Sequence, residues 1–161
     1  HWATVARTGT FLERRLHSER DRLPLVVLDS RRPADIGCLD AAVRATASLC
    51  VALAERGRCS LLLPGEQRAL DLSSGLGAWP AVHARLAVVE PGGALMWSSI
   101  ERAEVVLWVT ADRQPDPRIG RRGGTSHFIV SPFPQAGRAV LFDVAGCAVQ
   151  AAGRPVVASA S

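Results

Sequence analysis

The chain has 161 residues, 48% of them hydrophobic and 21% charged, which suits one globular domain with a sizeable core and argues against a disordered chain. The net charge is +4, and all of the basic side chains counted in it are arginines, because the sequence contains no lysine. The absence of lysine excludes a Walker-type phosphate-binding loop. The arginines are scattered and aromatic residues make up only 5%, so we expect no nucleic-acid partner, an arginine-driven nucleic-acid binder being the alternative.

The first two predicted elements are a strand and a long helix. Residues 24–30 form a short, nearly all-apolar run that ends in a polar Asp, which is typical of a strand buried on both faces of a parallel sheet. Apolar residues then recur at three- and four-residue spacing over 36–56, which predicts a helix. Asp35 is the expected N-cap of this helix, and Gly57 is its expected C-terminal stop.

Shorter elements follow in the rest of the chain. A second helix is predicted from Pro80 to Val89, and a short amphipathic segment over 96–102. The open loop 113–126 is rich in proline and glycine. Further strands are predicted at 59–63, 68–72, 104–110, 128–130, 140–144 and 147–149, the last two as an antiparallel pair.

The alternation of strands and helices predicts an α/β fold. We expect a mainly parallel, Rossmann-like sheet flanked by helices, with a short antiparallel C-terminal extension. Neither a repeat nor a linker divides the chain, so residues 1–161 are interpreted as one domain: an N-terminal arm at 1–22, a core at 23–150 and a weakly ordered tail at 151–161.

The four cysteines carry no metal-site pattern. Cys38, Cys50, Cys59 and Cys147 form no Cys-x-x-Cys pair, and none has a zinc-ligand spacing to a histidine. We therefore expect free thiols in a reducing compartment. The sequence contains no recognisable signal peptide, and no apolar run approaches the roughly 18 residues that span a bilayer.

The opening segment carries a family resemblance. Residues 1–14 read His-Trp-Ala-Thr-Val-Ala-Arg-Thr-Gly-Thr-Phe-Leu-Glu-Arg, and this segment resembles the signature of the DUF58 family, which precedes a von Willebrand factor A-like (vWA-like) domain. The resemblance implies a vWA-like fold downstream of N-terminal membrane helices that lie outside this fragment. It also implies a location at the cytoplasmic face of the bacterial membrane and a role as a protein-interaction or assembly module working with a MoxR-type AAA+ ATPase.

The resemblance also raises the question of a metal. A vWA domain can bind Mg²⁺ through Asp-x-Ser-x-Ser at the end of its first strand, with a Thr and an Asp from other loops. Here the motif reads Asp-Ser-Arg-Arg-Pro over 29–33, so Asp29 and Ser30 remain, and Asp112 is the further candidate ligand. Arginine and proline offer no ligand oxygen in their side chains, so we expect a degenerate metal site and no cofactor unless this reduced set binds Mg²⁺.

Arginines are the alternative source of positive charge at this edge. We expect Arg31 or Arg32 to pair with Asp29 or Asp112 in place of the metal. The predicted partner-binding residues are Arg31, Arg32, Arg118, Arg121 and Arg122. We expect no catalytic residues, since no Gly-x-Ser-x-Gly elbow is present; the alternative function is a small α/β hydrolase or transferase that uses the same edge.

Overall fold

The computed structural model describes residues 23–120 and 126–153, and the statements that follow concern these ranges. They contain seven strands and three helices. The strands are β1 (Leu25–Asp29), β2 (Arg58–Leu62), β3 (Leu70–Ser73), β4 (Val105–Thr110), β5 (Ser126–Ser131), β6 (Val140–Val144) and β7 (Cys147–Ala151). The helices are α1 (Ile36–Arg56), α2 (Trp79–Leu86) and α3 (Trp97–Arg102).

The strands form one mixed sheet in the order β3-β2-β1-β4-β5-β7-β6. β1 pairs in parallel with β2 and β4, and β4 pairs in parallel with β5. The predicted α/β class and the predicted antiparallel pair of β6 and β7 are confirmed. The sheet is less parallel than expected, because β3 also runs antiparallel to β2 at the opposite edge.

The predicted long helix is confirmed at both ends. The Asp35 carboxylate accepts a hydrogen bond from the backbone N–H of Cys38 at 2.8 Å, which satisfies one of the free donors at the start of α1. Gly57 follows its last residue. The second helix ends at Leu86 rather than Val89, because Val88 and Val89 form tighter turns: Val88 N–H donates to the carbonyl of Arg85, and Val89 N–H to that of Leu86.

Helix α1 is also a candidate membrane-spanning helix by length and composition, which the search for apolar runs in the sequence did not identify. By length and composition alone this 21-residue helix is apolar enough to cross a bilayer, with a mean hydropathy of 1.6. A core helix of a soluble protein passes the same test. One face of α1, which includes Leu39, Leu49 and Cys50, is buried in the main core of the sheet.

Alternating residues of β1 and β4 separate two cores. Leu28 and Val109 face the larger core, together with buried residues of α1 and α2. Val27 and Trp108 face the smaller one, together with Ile100 of α3. Of the residues that the structure describes, one short helix, α3, and parts of loops pack on this second face of the sheet.

The order of the strands reverses direction between β1 and β4, which creates a topological switch point there. From β1 the chain moves outward through α1 to β2 and β3, and it then returns to β4 on the other side of β1. The loops that follow β1 and β4 therefore diverge, and such a crevice at the carboxyl ends of the strands is where open α/β sheets usually bind ligands.

Several sequence-based interpretations lie outside the described residues. These are the signature arm 1–22, the tail beyond 153 and two of the predicted partner-binding residues, Arg121 and Arg122.

We predict that Gly93→Ala destabilises the protein more than Gly137→Ala. Both glycines have a positive φ, +86° and +77°, so alanine costs about 1 kcal/mol at either position. At Gly93 the added Cβ would also lie 2.7 Å from Cβ of Pro64, whereas nothing lies within 4 Å at Gly137. Urea unfolding should give the lower midpoint for Gly93→Ala, and equal midpoints would contradict the prediction.

Candidate functional site

The candidate site lies where β1 and β4 end side by side. Asp29 is the last residue of β1, and it is paired in register with Thr110, the last residue of β4. The two following loops are joined by a backbone hydrogen bond of 3.0 Å from Ala34 N–H to the carbonyl of Ala111. The sheet therefore fixes the start of both loops.

A third loop is fastened to this edge through Ser30. The hydroxyl of Ser30 donates to the carbonyl of Gly92 at 2.6 Å, and the N–H of Gly92 donates to the carbonyl of Ser30 at 2.7 Å. Ser30 is fully buried. The residue predicted as a metal ligand is thus used to hold the loop between α2 and α3 against the end of β1.

Asp29 is held by its near neighbour Arg31. Nε of Arg31 donates to Oδ1 of Asp29, and Nη2 donates to Oδ2, each at 2.9 Å, while the backbone N–H of Arg31 donates to Oδ1 at 3.1 Å. Asp29 is only 6% exposed. These hydrogen bonds raise the pKa of the Arg31 guanidinium against the opposing effect of burial, and they occupy both oxygens of the carboxylate in a bidentate pair.

Asp116 is a third carboxylate at this edge, and the sequence analysis did not single it out. Nε and Nη2 of Arg118 donate to its two oxygens at 3.1 Å, and Nη2 of Arg31 donates to Oδ2 at 3.3 Å. Burial raises the pKa of Asp116, but the hydrogen bonds from Arg118 and Arg31 outweigh this effect and lower the pKa from 3.8 to about 2. Arg31 therefore bridges two buried carboxylates.

Arg32 and Asp112 form a separate, more exposed pair. Nε of Arg32 lies 2.9 Å from Oδ2 of Asp112, and the Arg32 side chain is 69% exposed. The backbone N–H of Asp112 donates to the hydroxyl of Thr110, and Oδ1 of Asp112 accepts from the N–H of Gln114. The expected pairing of Arg31 and Arg32 with the two predicted aspartates is present.

Two tryptophans form a floor beneath Arg31 and Arg118. Trp97 and Trp108 stack with ring centroids 5.3 Å apart. The Arg118 guanidinium carbon lies 3.7 Å from the Trp97 ring centroid, and that of Arg31 lies 5.7 Å from Trp97 and 5.9 Å from Trp108. Cation–π contacts of this kind favour the charged guanidinium and fix its plane.

The residues at this edge do not fit a magnesium ion. Both oxygens of Asp29 accept hydrogen bonds from Arg31, the hydroxyl of Ser30 is directed to Gly92, and Asp112 lies against Arg32. Mg²⁺ requires near-octahedral oxygen ligands, and a guanidinium in their midst repels it. Within 23–120 and 126–153, no group of three or more His, Cys, Asp or Glu side chains is arranged to hold a metal.

A cavity of about 340 Å³ lies beside the aromatic floor. Its wall includes the two stacked tryptophans, two isoleucines and three polar side chains. The lining residues are Trp97, Ile100, Glu101, Trp108, Arg118, Ile119 and His127. His127 is largely buried, and its Nδ1 accepts a hydrogen bond from the backbone N–H of Gly120 at 2.9 Å.

The structure brings together six of the eight predicted site residues at this edge, five of which are Asp29, Ser30, Arg31, Arg32 and Asp112. Arg118 also reaches it, through Asp116. The sequence did not identify Asp116 or Trp97 as part of this site. The Asp116-Pro117 pair marks a turn in the sequence, but nothing local shows that this turn faces Arg31.

Comparison of the chain with protein-family models, with curated proteins and with solved structures finds no match.

We predict that Asp116→Asn flattens the acid end of the stability profile. The folded pKa of about 2 lies below the ordinary 3.8, so Asp116 stabilises the fold above pH 3.8, and this contribution is lost as the pH falls through about 2. The variant should be less stable at neutral pH, and its free energy of unfolding should fall less between about pH 4 and pH 2.

Denaturant unfolding at a series of pH values measures this difference. Asp40→Asn, which removes an exposed carboxylate on α1, is the control. A wild-type acid dependence in Asp116→Asn would show that its pairs with Arg118 and Arg31 contribute nothing to folding.

Proposed function

We propose that this chain is the vWA-like interaction module of a DUF58-type membrane-associated protein. It binds a protein partner, a MoxR-type AAA+ ATPase, at the carboxyl edge of its sheet, and it has no catalytic role. The observation that carries the proposal is the set of three arginines, Arg31, Arg32 and Arg118, that hold three aspartates at the switch point of the fold.

The position of this set supports an interaction site. The resemblance implies that a vWA domain engages its ligand through the end of its first strand, and here β1 ends at Asp29 between two parallel neighbours. The predicted degenerate adhesion motif and the crevice at the switch point coincide. A partner that approaches the sheet from this edge meets the loops after β1 and β4 together.

The exposed guanidinium groups support an acidic partner surface. The side chains of Arg32 and Arg118 are 69% and 57% exposed, and each uses only part of its five N–H donors on an aspartate. A partner carboxylate can accept from the remaining donors without displacing that aspartate. Arginine above an aromatic ring is also the composition typical of residues that dominate binding energy at protein interfaces.

The same geometry supports binding that needs no metal. In a metal-dependent adhesion site the ion links the domain to a carboxylate of the ligand. In this chain the guanidinium of Arg31 lies between Asp29 and Asp116, so a side chain rather than an ion neutralises these carboxylates. The proposed complex is accordingly insensitive to chelators and weakened by salt.

The alternative, a hydrolase or transferase at the same edge, has less support. Such an enzyme needs a nucleophile within hydrogen-bond reach of a base. Ser30, the serine at the end of β1, is fully buried and donates to the carbonyl of Gly92. The ion pairs at this edge are therefore better suited to recognition than to nucleophilic attack.

The proposed location is the cytoplasmic face of the bacterial membrane, reached through N-terminal helices outside this chain. The cysteines of the described ranges support a reducing compartment, since all four are free thiols and Cys50, Cys59 and Cys147 are buried.

We predict that Arg32→Glu weakens binding to the ATPase by about tenfold or more, because it places a carboxylate where the partner's acidic group is expected. Biolayer interferometry measures this effect as the difference in affinity between the wild-type and variant proteins for the purified MoxR-type ATPase from the same cell. A chelator that removes divalent ions other than those bound with ATP should leave the affinity of the complex unchanged.

Arg85→Glu is the matched control. Arg85 is also an exposed arginine in a single ion pair, with Glu66 at 2.6 Å, but it belongs to α2. Equal weakening by both substitutions would indicate a nonspecific charge effect, and the absence of any complex with the wild-type protein would refute the proposed partner.

A further inference from the structure

The loop after β4 carries a further arginine, Arg113, at the tip of a turn. The backbone N–H of Asp112 donates to the hydroxyl of Thr110 at 3.1 Å, and Oδ1 of Asp112 accepts from the N–H of Gln114 at 2.9 Å. An aspartate that accepts from the backbone two residues further on closes a turn, with the intervening residue at its apex. Arg113 is that residue, and its side chain is exposed.

The Arg113 guanidinium lies over an aromatic ring of the neighbouring loop. Its central carbon is 4.5 Å from the ring centroid of Phe133, which follows the last residue of β5 by two positions. The backbone N–H of Phe133 donates to the hydroxyl of the buried Ser131 at 3.1 Å. A cation above a ring face is attracted to it, and this contact limits the positions that the guanidinium adopts.

A buried glutamine fixes the loop that carries Phe133. Gln150 of β7 is only 1% exposed; its Oε1 accepts from the N–H of Gln135 at 2.7 Å, and its Nε2 donates to the carbonyls of Gln135 and Arg138 at 3.2 and 2.9 Å. Nε2 of Gln135 donates to the carbonyl of Phe133 at 3.1 Å and to that of Arg113 at 3.5 Å. These hydrogen bonds hold the loops after β4 and β5 together.

Arg113 forms no ion pair within the part of the chain that the structure describes, whereas three other arginines of this edge each hold an aspartate. Asp35 feels its charge, but both Asp35 oxygens accept from Cys38, and these hydrogen bonds lower the Asp35 pKa more than the coulombic effect of Arg113 does. An oriented guanidinium without its own carboxylate offers a bidentate site to a carboxylate from another molecule.

We propose that Arg113 anchors a protein partner by binding a carboxylate of an acidic segment, a stretch of neighbouring Asp or Glu side chains that also contacts Arg32. Arg32 pairs with Asp112 at 2.9 Å and is 69% exposed, so the two arginines border the same turn. The inference rests on the proposed interaction at the carboxyl edge, but it does not require the partner to be an ATPase.

The aspartates of this edge favour an acidic protein segment over nucleic acid. Asp29, Asp112 and Asp116 lie among the arginines. A phosphate backbone carries continuous negative charge and would face these carboxylates as well as the guanidinium groups. Separate carboxylates on flexible side chains can each face one arginine.

A capped hexaglutamate peptide tests the acidic anchor, and a capped hexaglutamine peptide is the neutral probe. Fluorescence anisotropy of the labelled peptides at low salt measures their affinity for the full chain. Arg113→Gln should weaken hexaglutamate binding about threefold to fivefold, the range expected for one exposed ion pair. The control is Arg58→Gln at the start of β2, which removes an exposed arginine from the opposite edge and should change the affinity much less.

A pair of substitutions at Phe133 tests the role of the ring with the charge of Arg113 retained. Phe133→Leu should weaken hexaglutamate binding about twofold, because the guanidinium loses the face that orients it. Phe133→Tyr keeps that face and should bind the peptide as the wild type does. Equal weakening by both substitutions would contradict a positioning role for the ring.

Four results would overturn the acidic anchor. Hexaglutamate does not bind, hexaglutamine binds equally well, Arg113→Gln weakens binding no more than Arg58→Gln, or a seven-nucleotide DNA strand with six phosphates binds more tightly than hexaglutamate. Titration of the same variants with the ATPase separates this inference from the proposed function. Peptide binding that depends on Arg113 without an ATPase complex refutes only that partner, and an ATPase complex that is insensitive to Arg113→Gln refutes only the anchor.

Discussion

The bidentate pair between Arg31 and Asp29 is the interaction on which the carboxyl edge of the sheet depends. A carboxylate that is 6% exposed at the end of β1 is costly unless its charge is matched, and Arg31 matches it through two side-chain hydrogen bonds of 2.9 Å. The same guanidinium reaches Asp116 on the loop after β4. One side chain therefore joins the two loops that diverge at the switch point.

The rest of the edge follows from this pair. Arg31 lies over Trp97 and Trp108, and Arg118 packs on Trp97 while it completes the coordination of Asp116. The stacked rings in turn form the wall of the neighbouring cavity. Removal of one charge from such a network leaves its buried counterpart unpaired, so a substitution of either partner is expected to destabilise this edge.

The sequence predicted the parts of this site that depend on local spacing. The apolar run that ends at Asp29 identified β1, and Arg31, two residues further on, identified the expected pairing. The sequence could not locate Asp116 or Trp97 at this edge, because they reach Arg31 only through the crossing of β4 beside β1 and the packing of α3 on the second face. The antiparallel direction of β3 was missed for a similar reason: a short, half-exposed strand at a sheet edge carries little signal of its direction.

A calorimetric titration of Mg²⁺ and Mn²⁺ into the wild-type chain and Asp29→Ala tests most directly whether Arg31 has taken the place of a metal at this edge. Because Arg31 occupies both oxygens of Asp29, we predict no saturable binding heat in either protein. Saturable binding by the wild type that disappears in Asp29→Ala would contradict this prediction. It would mean that the ion displaces the guanidinium and that adhesion at this edge depends on metal.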